Sequence, residues 1–178
     1  HTGTMKFKRN LIVSEIVGQV IKVKDEINDW NNTSERKKVT NIVFMGMGEP
    51  MYNYENVIKS IEVLTDEKGL SLSKRKVTLS TSGVVPKIKT FKNDSDVNLA
   101  ISLHAAFDEI RDELVPINKK WPIKDLLLAL KEYSFHKKNK RITFEYIMLE
   151  NVNDTNKDAQ ELIKLVKPLR AKVNLIPF

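Results

Sequence analysis

Short apolar runs alternate with amphipathic stretches along the whole chain, and this alternation predicts its secondary structure. Runs rich in β-branched and aromatic residues, typical of buried strands, occupy these ranges: 42–45, 77–79, 97–103, 141–148 and 173–176. Between them, apolar residues recur at helical spacing, which predicts helices over these ranges: 16–27, 57–69, 85–91, 108–114, 123–133 and 155–166. Ser14 is the predicted N-cap of the first helix, and Asp154 or Thr155 that of the last.

Strands and helices that alternate in this way are typical of parallel sheets with right-handed helical crossovers. The expected fold class is therefore α/β, formed by one domain over residues 1–178. Two arrangements remain open, a partial (β/α) barrel with parallel strands and an open doubly wound sheet. We favour the partial barrel, because polar residues recur after strand upon strand.

These polar residues stand at or near the carboxyl ends of the predicted strands. They are Glu49, Ser80, Ser82, Ser102, His104, Glu150 and Asn174. In a parallel sheet such strand ends share one edge, where these folds place their ligands. The set matches a ligand that has an ammonium, a carboxylate and a ribose. Each residue alone has a structural interpretation too, since serines after strands commonly cap helices and His104 can be a structural imidazole.

The loop after the first predicted strand has the sequence Gly-Met-Gly-Glu-Pro over residues 46–50. Its two glycines permit backbone conformations closed to other residues. A dinucleotide loop is a poor match, because Glu49 would repel a pyrophosphate and Pro50 lacks the N–H that phosphate oxygens need. A carboxylate at this position is better suited to the ammonium of an amino-acid ligand. The alternative is an ordinary strand-to-helix turn with a solvated Glu49.

Composition limits the classes of protein that remain. The chain has 178 residues, of which 41% are hydrophobic and 30% charged, as in a soluble globular domain. No apolar run approaches the roughly 20 residues of a membrane span, so we expect a cytoplasmic protein with no membrane partner. The absence of cysteine excludes disulfides and thiolate-held metals within the chain, and its three histidines are too scattered to predict a metal site.

A formal net charge of +7 makes an anionic partner plausible, above all nucleic acid. Most basic runs stand just before strands, at the amino edge, and we interpret them as a solvated face: 36–38, 74–76, 137–141 and 170–172. The candidates for RNA phosphate contacts are the cations expected at the other edge: Lys6, Lys8, Arg9, Arg111, Lys119 and Lys120.

Eight stretches of the chain together resemble one family. They are KRNL at 8–11, EIVGQ at 15–19, GMGEP at 46–50, VTLSTSGVVP at 77–86, AISLHA at 100–105, RDELVPINKK at 111–120, FEYIM at 144–148 and VNLIP at 173–177. In this order they resemble the bacterial adenosine-C2 RNA methyltransferases of the radical S-adenosylmethionine class. Such enzymes modify an adenosine in large-subunit ribosomal RNA and in some transfer RNAs.

The resemblance implies a partial (β/α) barrel with S-adenosylmethionine and a 4Fe-4S cluster at its carboxyl edge. It implies that Gly48 and Glu49 bind the amino end of the cofactor. The rest of the cofactor pocket is expected from Ser80, the segment Ser102, Leu103 and His104, and Asn174. In the family, the cofactor is both the methyl donor to a carrier cysteine and the source of a 5′-deoxyadenosyl radical.

The chain departs from the family pattern in its cysteines. The family holds its cluster on a Cys-x3-Cys-x2-Cys loop and uses two further cysteines, and this sequence contains none. We therefore assign no catalytic residue and expect a barrel fragment that is inactive alone, with the cluster in the full-length parent. Two alternatives stay open, a relative that methylates C8 and a non-catalytic α/β domain that binds RNA or protein.

Overall fold

The computed structural model describes residues 7–30 and 37–178, and these form an alternating α/β chain. The elements are α1 (Val13–Glu26), β1 (Ile42–Phe44), α2 (Tyr54–Thr65), β2 (Val77–Thr81), α3 (Val85–Asp94), β3 (Asn98–Ser102), α4 (Asp108–Leu114), α5 (Ile123–His136), β4 (Ile142–Met148), α6 (Asn156–Val166) and β5 (Ala171–Pro177). Short 3₁₀ turns cover Pro50–Asn53, Lys74–Lys76 and Pro116–Lys119. None of the helices in these described ranges has the length and hydropathy of a membrane span.

The strands in the described part of the chain form one parallel sheet in the order β1-β2-β3-β4-β5. A doubly wound sheet reverses its strand order at a switch point, and this sheet does not. Sequential order with a helix in each crossover is the pattern of a (β/α) barrel. The ends β1 and β5 do not pair with each other in the described structure, so the sheet is open. The predicted partial barrel is confirmed.

Strand register gives the two faces of the sheet different characters. One face contributes Leu79, Leu99, Ile101 and Phe144 to the hydrophobic core, all fully buried. The other, which we call the inner face, contains two rows of registered residues. The rows are Ser80–Ala100–Thr143–Lys172 and Ser102–Glu145–Asn174. Because residues in register point to the same side of a sheet, Ser80, Ser102 and Asn174 share this face, as the sequence predicted.

Helices cover the core face, chiefly through α3 and α5. Ile88, Phe91, Leu126 and Tyr133 are buried there, and the rings of Phe91 and Tyr133 stack with centroids 6.2 Å apart. Burial of this apolar surface is the main force that holds the helices on the sheet.

Helix α1 begins earlier than the sequence predicted. Ser14 is not its N-cap, because the helix already starts at Val13 and Ile12 occupies the cap position. The Glu15 carboxylate accepts the Ile12 N–H at 3.0 Å and also binds Arg9 at 2.6 and 2.7 Å. A carboxylate three residues after the cap thus satisfies the backbone N–H of the cap residue itself, as in one half of a capping box.

Candidate functional site

The loop after β1 brings Glu49 to the carboxyl edge of the sheet. β1 ends at Phe44, and Gly46 and Gly48 follow with φ angles of 115° and 71°. These positive angles favour glycine, and they permit the sharp change of chain direction at this point. Glu49 comes next and is half-buried, directly before the 3₁₀ turn Pro50–Asn53.

The Glu49 carboxylate is anchored by three hydrogen bonds. The Met51 N–H donates to Oε1 at 2.9 Å, while Ser82 donates to Oε2 through its N–H at 2.8 Å and its hydroxyl at 2.6 Å. Since Ser82 follows β2, this contact joins the ends of β1 and β2. A carboxylate accepts about four hydrogen bonds, so Glu49 keeps capacity for one more donor. No described residue forms a salt bridge with it.

The row Ser102–Glu145–Asn174 places a hydroxyl, a carboxylate and an amide on three neighbouring strands. Asn174 donates its side-chain N–H to Glu145 Oε2 at 2.7 Å. Adjacent strands lie about 4.8 Å apart, so the three side chains are within reach of one small ligand. Sequence reasoning missed Glu145. The signal was its place between Phe144 and Tyr146, two buried aromatic residues whose neighbour must face the opposite side.

His104 lies two residues after the end of β3, and its N–H donates to the Glu145 carbonyl oxygen at 3.2 Å. Its φ of 57° is unusual for a residue other than glycine. Its Nδ1 accepts the Ile147 N–H at 3.2 Å, and its carbonyl oxygen accepts the Asn153 side-chain N–H at 2.6 Å. Burial, with a smaller contribution from the Arg111 charge, lowers the pKa of His104 to about 4. The ring is therefore neutral at pH 7, and Nε2 carries the proton, because Nδ1 is an acceptor.

Arg111 corrects one prediction from the sequence. Its side chain is fully buried, so it is not available to an RNA phosphate. The guanidinium instead donates to the carbonyl oxygens of Leu103 at 3.0 Å, Ser82 at 2.7 Å and Ser102 at 3.1 Å. It also donates to Asn118 Oδ1 at 2.7 Å. Arg111 thus holds the ends of β2 and β3 together beneath the predicted site.

The other predicted residues have different surroundings. The Leu103 side chain is fully buried in the core, so it supports its neighbours and does not face the edge. Ser80 is 5% exposed on the inner face. The cations that remain available are exposed: Lys8, Arg9, Lys119 and Lys120. Arg9 is paired with Glu15, as described above, and Lys6 lies outside the described residues.

Among the grooves in the described surface are two whose linings contain neither Glu49 nor Asn174. One, of about 600 Å³, runs between α1 and α2 and has a largely apolar lining. The other, of about 430 Å³, lies between α4, α5 and α6. The predicted site is instead the open inner face and carboxyl edge, which carry the polar residues described above.

Comparison with known protein families shows the family to which the chain belongs. Residues 12–166 match the family model described as the radical SAM superfamily. The chain belongs to this superfamily. It is 51% identical to a dual-specificity RNA methyltransferase RlmN of Jannaschia sp. (strain CCS1), over 100% of the chain and 47% of that relative. The RlmN of Rhodospirillum rubrum is 53% identical, with 42% of its length covered, and that of Parvibaculum lavamentivorans is 54% identical, with 45% covered.

A solved structure shares this fold. The radical SAM methyltransferase from Sphaerobacter thermophilus superposes with a TM-score of 0.89 at 40% identity, covering 97% of the chain and 49% of that protein. The chain thus spans about half the length of the relatives it matches.

Members of the radical SAM superfamily use S-adenosylmethionine and a 4Fe-4S cluster, and the structure permits a test of each. The Glu49 carboxylate is anchored and has no cationic partner among the described residues, which fits the ammonium of S-adenosylmethionine. The hydroxyl and amide groups of the inner face fit its ribose. The cluster does not fit, because the sequence supplies no thiolate. The described residues also contain no group of three His, Asp or Glu side chains placed to hold a metal ion.

Proposed function

We propose that this chain is the cofactor-binding core of an RNA methyltransferase. The reaction is methylation at C2 of an adenosine in large-subunit ribosomal RNA and transfer RNA by a radical S-adenosylmethionine mechanism. Residues 1–178 act as one partial-barrel domain that holds S-adenosylmethionine at the carboxyl edge. The relatives are dual-specificity RNA methyltransferases, which supports RNA as the substrate class.

The observation that carries this proposal is the anchored carboxylate of Glu49. It is fixed by Met51 and Ser82 and retains a free acceptor position. In the proposal Glu49 accepts the ammonium of the cofactor, and Gly48 leaves the backbone accessible beside it. A carboxylate that is already fixed loses little conformational entropy when it binds a cation.

The remaining residues bind and orient the other parts of the cofactor. Ser80, Ser102 and Asn174 offer hydroxyl and amide groups from the inner face, and His104 offers a neutral N–H donor. When bound with its cluster, S-adenosylmethionine supplies the methyl group and the 5′-deoxyadenosyl radical. Since this chain has no cysteine, its own residues contribute binding and orientation and do not ligate the cluster.

Titration of S-adenosylmethionine into the chain tests the assignment of Glu49. We expect Glu49→Gln to weaken binding by about 10- to 100-fold, the worth of one charge-assisted hydrogen bond. Glu55→Gln is the matched control, because Glu55 is exposed on α2, and it is expected to bind like the parent chain. Equal affinities of Glu49→Gln and the parent would remove Glu49 from the site. A parent chain that binds RNA but no cofactor would favour the non-catalytic domain.

A further inference from the structure

The turns that lead into β2 and β4 carry a dense group of cations at the amino edge of the sheet. The 3₁₀ turn Lys74–Lys76 comes directly before β2, and residues 137–141 connect α5 to β4. β3 lies between these two strands, and Asp96 lies just before it. We define the amino-edge basic cluster as Lys74, Arg75, Lys137, Lys138 and Lys140.

Contacts between the side chains show that these turns meet in space. Lys137 Nζ lies 2.5 Å from Asp96 Oδ1, and Lys74 Nζ lies 3.9 Å from Asp96 Oδ2. The Asn98 side chain donates to the Arg75 carbonyl oxygen at 2.8 Å, which fixes the first turn against β3. Arg170 donates to the Lys138 carbonyl oxygen and adds a further cation from the turn before β5.

Asp96 neutralises only part of this charge. Lys137, and more weakly Lys74 and Lys140, lower the pKa of the Asp96 carboxyl group. Burial lowers the pKa of Lys140, and repulsion from Arg75, Lys137 and Lys74 lowers it further. One carboxylate thus faces three cations, and Arg75 adds a fourth that repels Lys140, so the cluster has an excess of positive charge that an anion would relieve.

An exposed aromatic side chain stands beside the cluster. Phe135, near the end of α5, is 78% exposed, and Lys138 Nζ lies 5.6 Å from its ring centroid. Cations interleaved with an aromatic platform are typical of proteins that bind single-stranded nucleic acid, where the ring stacks on a base.

The opposite edge of the sheet carries a group of acidic residues. Acidic residues follow β3 and β4 at the carboxyl edge: Asp108, Glu109, Asp112, Glu113, Glu150 and Asp154. Arg111 in the same region is buried. Lys119 and Lys120 are exposed in the same region, so this edge carries both charges, whereas the turns of the amino edge carry mainly cations.

We propose that the amino-edge basic cluster binds the phosphate backbone of a single-stranded RNA segment and that Phe135 stacks on one of its bases. This inference rests on the proposed RNA substrate and adds a second contact surface, remote from the cofactor site. It replaces the interpretation of these runs as a solvated face.

Fluorescence anisotropy with a labelled single-stranded oligoadenylate of about 12 nucleotides, long enough for the site sizes of such surfaces, tests the proposal. We expect the triple variant Lys74→Gln, Arg75→Gln, Lys140→Gln to lose about 10-fold or more in affinity at low salt. The slope of log K against log salt should become shallower by about 2, since three phosphate contacts are removed at about 0.7 each. Phe135→Ala should weaken binding and leave the slope unchanged.

A matched control separates this site from a general charge effect. The control is a second triple variant, Lys22→Gln, Lys59→Gln, Lys164→Gln, with substitutions on the exposed faces of α1, α2 and α6. It changes the net charge by the same amount, and we expect it to retain the slope of log K against log salt that the parent chain shows. Equal losses in both triple variants would overturn the proposal. The proposal would also be overturned if the cluster variant bound RNA normally but lost binding to anionic phosphatidylserine vesicles. The surface would then be a membrane contact.

Cofactor titration of the same variants keeps the two proposals apart. We expect the cluster variant to bind S-adenosylmethionine like the parent chain, since its substitutions lie at the other edge of the sheet. Loss of RNA binding with intact cofactor binding supports the cluster, whatever the outcome for Glu49. If the chain binds the cofactor and the cluster variant binds RNA as tightly as the parent chain, RNA binding by the cluster is contradicted and the cofactor site is not.

Discussion

Single residues at the carboxyl edge are held in conformations that the unfolded chain would rarely adopt. His104 is the clearest case, with a φ of 57° and a ring nitrogen that accepts the Ile147 N–H. A residue other than glycine pays a cost for this backbone conformation. The cost is offset by the Asn153 side chain, which donates to the carbonyl oxygens of His104 and Ile147 at 2.6 and 2.7 Å.

The lowered pKa of His104 has a consequence for stability. The folded chain holds the ring neutral down to about pH 4, whereas the unfolded chain takes up a proton near the ordinary value of 6.5. The unfolded state therefore binds more protons between these values, and stability should fall by roughly 1–3 kcal/mol as the pH drops through this window. Urea denaturation at several pH values measures the effect.

The control for this pH dependence is the exposed His136. We expect His104→Asn, which tolerates the left-handed backbone, to lose the His104 contribution between pH 6.5 and 4, and His136→Asn to retain it. If His104→Asn and the parent chain showed the same pH profile, the buried neutral imidazole would be refuted.

The residues of the candidate site differ in how far sequence could predict them. Ser102 and Asn174 were predicted to share an edge, because strand ends in a parallel sheet converge by topology, and the register places both on the inner face. Arg111 was misassigned, because its acceptors are backbone carbonyls of other strands that no local pattern reveals. Whether these residues bind the cofactor stays a prediction.

Among the elements, α4 and the 3₁₀ turn after it are joined by a network of polar side chains next to the strand ends. Asn118 donates to the Asp108 and Asp112 carboxylates at 2.8 and 2.7 Å and accepts from Arg111. The Ile123 N–H, at the start of α5, donates to Asp108 at 2.9 Å. These bonds explain why a short helix is stable here although its sequence offers few apolar contacts.

Loss of the central cation should therefore destabilise the fold. We expect Arg111→Met to lower the free energy of unfolding by about 3 kcal/mol or more, because it leaves buried carbonyl and amide groups without partners. Arg111→Lys should recover part of the loss, since one ammonium reaches fewer acceptors. Urea denaturation measures both.

Arg75→Met supplies the comparison, because the Arg75 side chain is exposed, and its effect should stay within about 0.5 kcal/mol. A stability of Arg111→Met equal to that of Arg75→Met would show that the buried network contributes little.

Element positions were predicted more accurately than element ends. The range 108–114 matches α4, whereas α2 was predicted to continue beyond Thr65 and β5 proved longer than 173–176. Apolar periodicity locates the centre of an element, but its ends depend on caps, and Ile12 at the cap position of α1 is not a preferred N-cap residue.

At the scale of the whole molecule, the described sheet ends in an edge strand on each side. β1 and β5 each pair with one strand among the described residues. Leu175 on β5 is in register with the buried Tyr146, yet it is 53% exposed. Unpaired edges with apolar side chains favour association with another chain.

We expect the chain to self-associate at high concentration through β5, and Leu175→Lys to reduce this, because a charged edge residue opposes strand pairing. Light scattering over a concentration series measures the mass. Leu128→Lys is the control, since Leu128 on α5 is similarly exposed at 50% and lies on no sheet edge. A monodisperse monomer at all concentrations would contradict the expectation.

The contact between Asn174 and Glu145 determines which atom of the amide a bound molecule meets. The Glu145 oxygen accepts an N–H of Asn174 and so turns the amide oxygen of Asn174 away from itself. The second N–H of Asn174 can still donate, while its amide oxygen is left to accept a hydrogen bond. A small molecule whose hydroxyl is replaced by an ether at this point would lose that interaction, while its shape stays nearly the same.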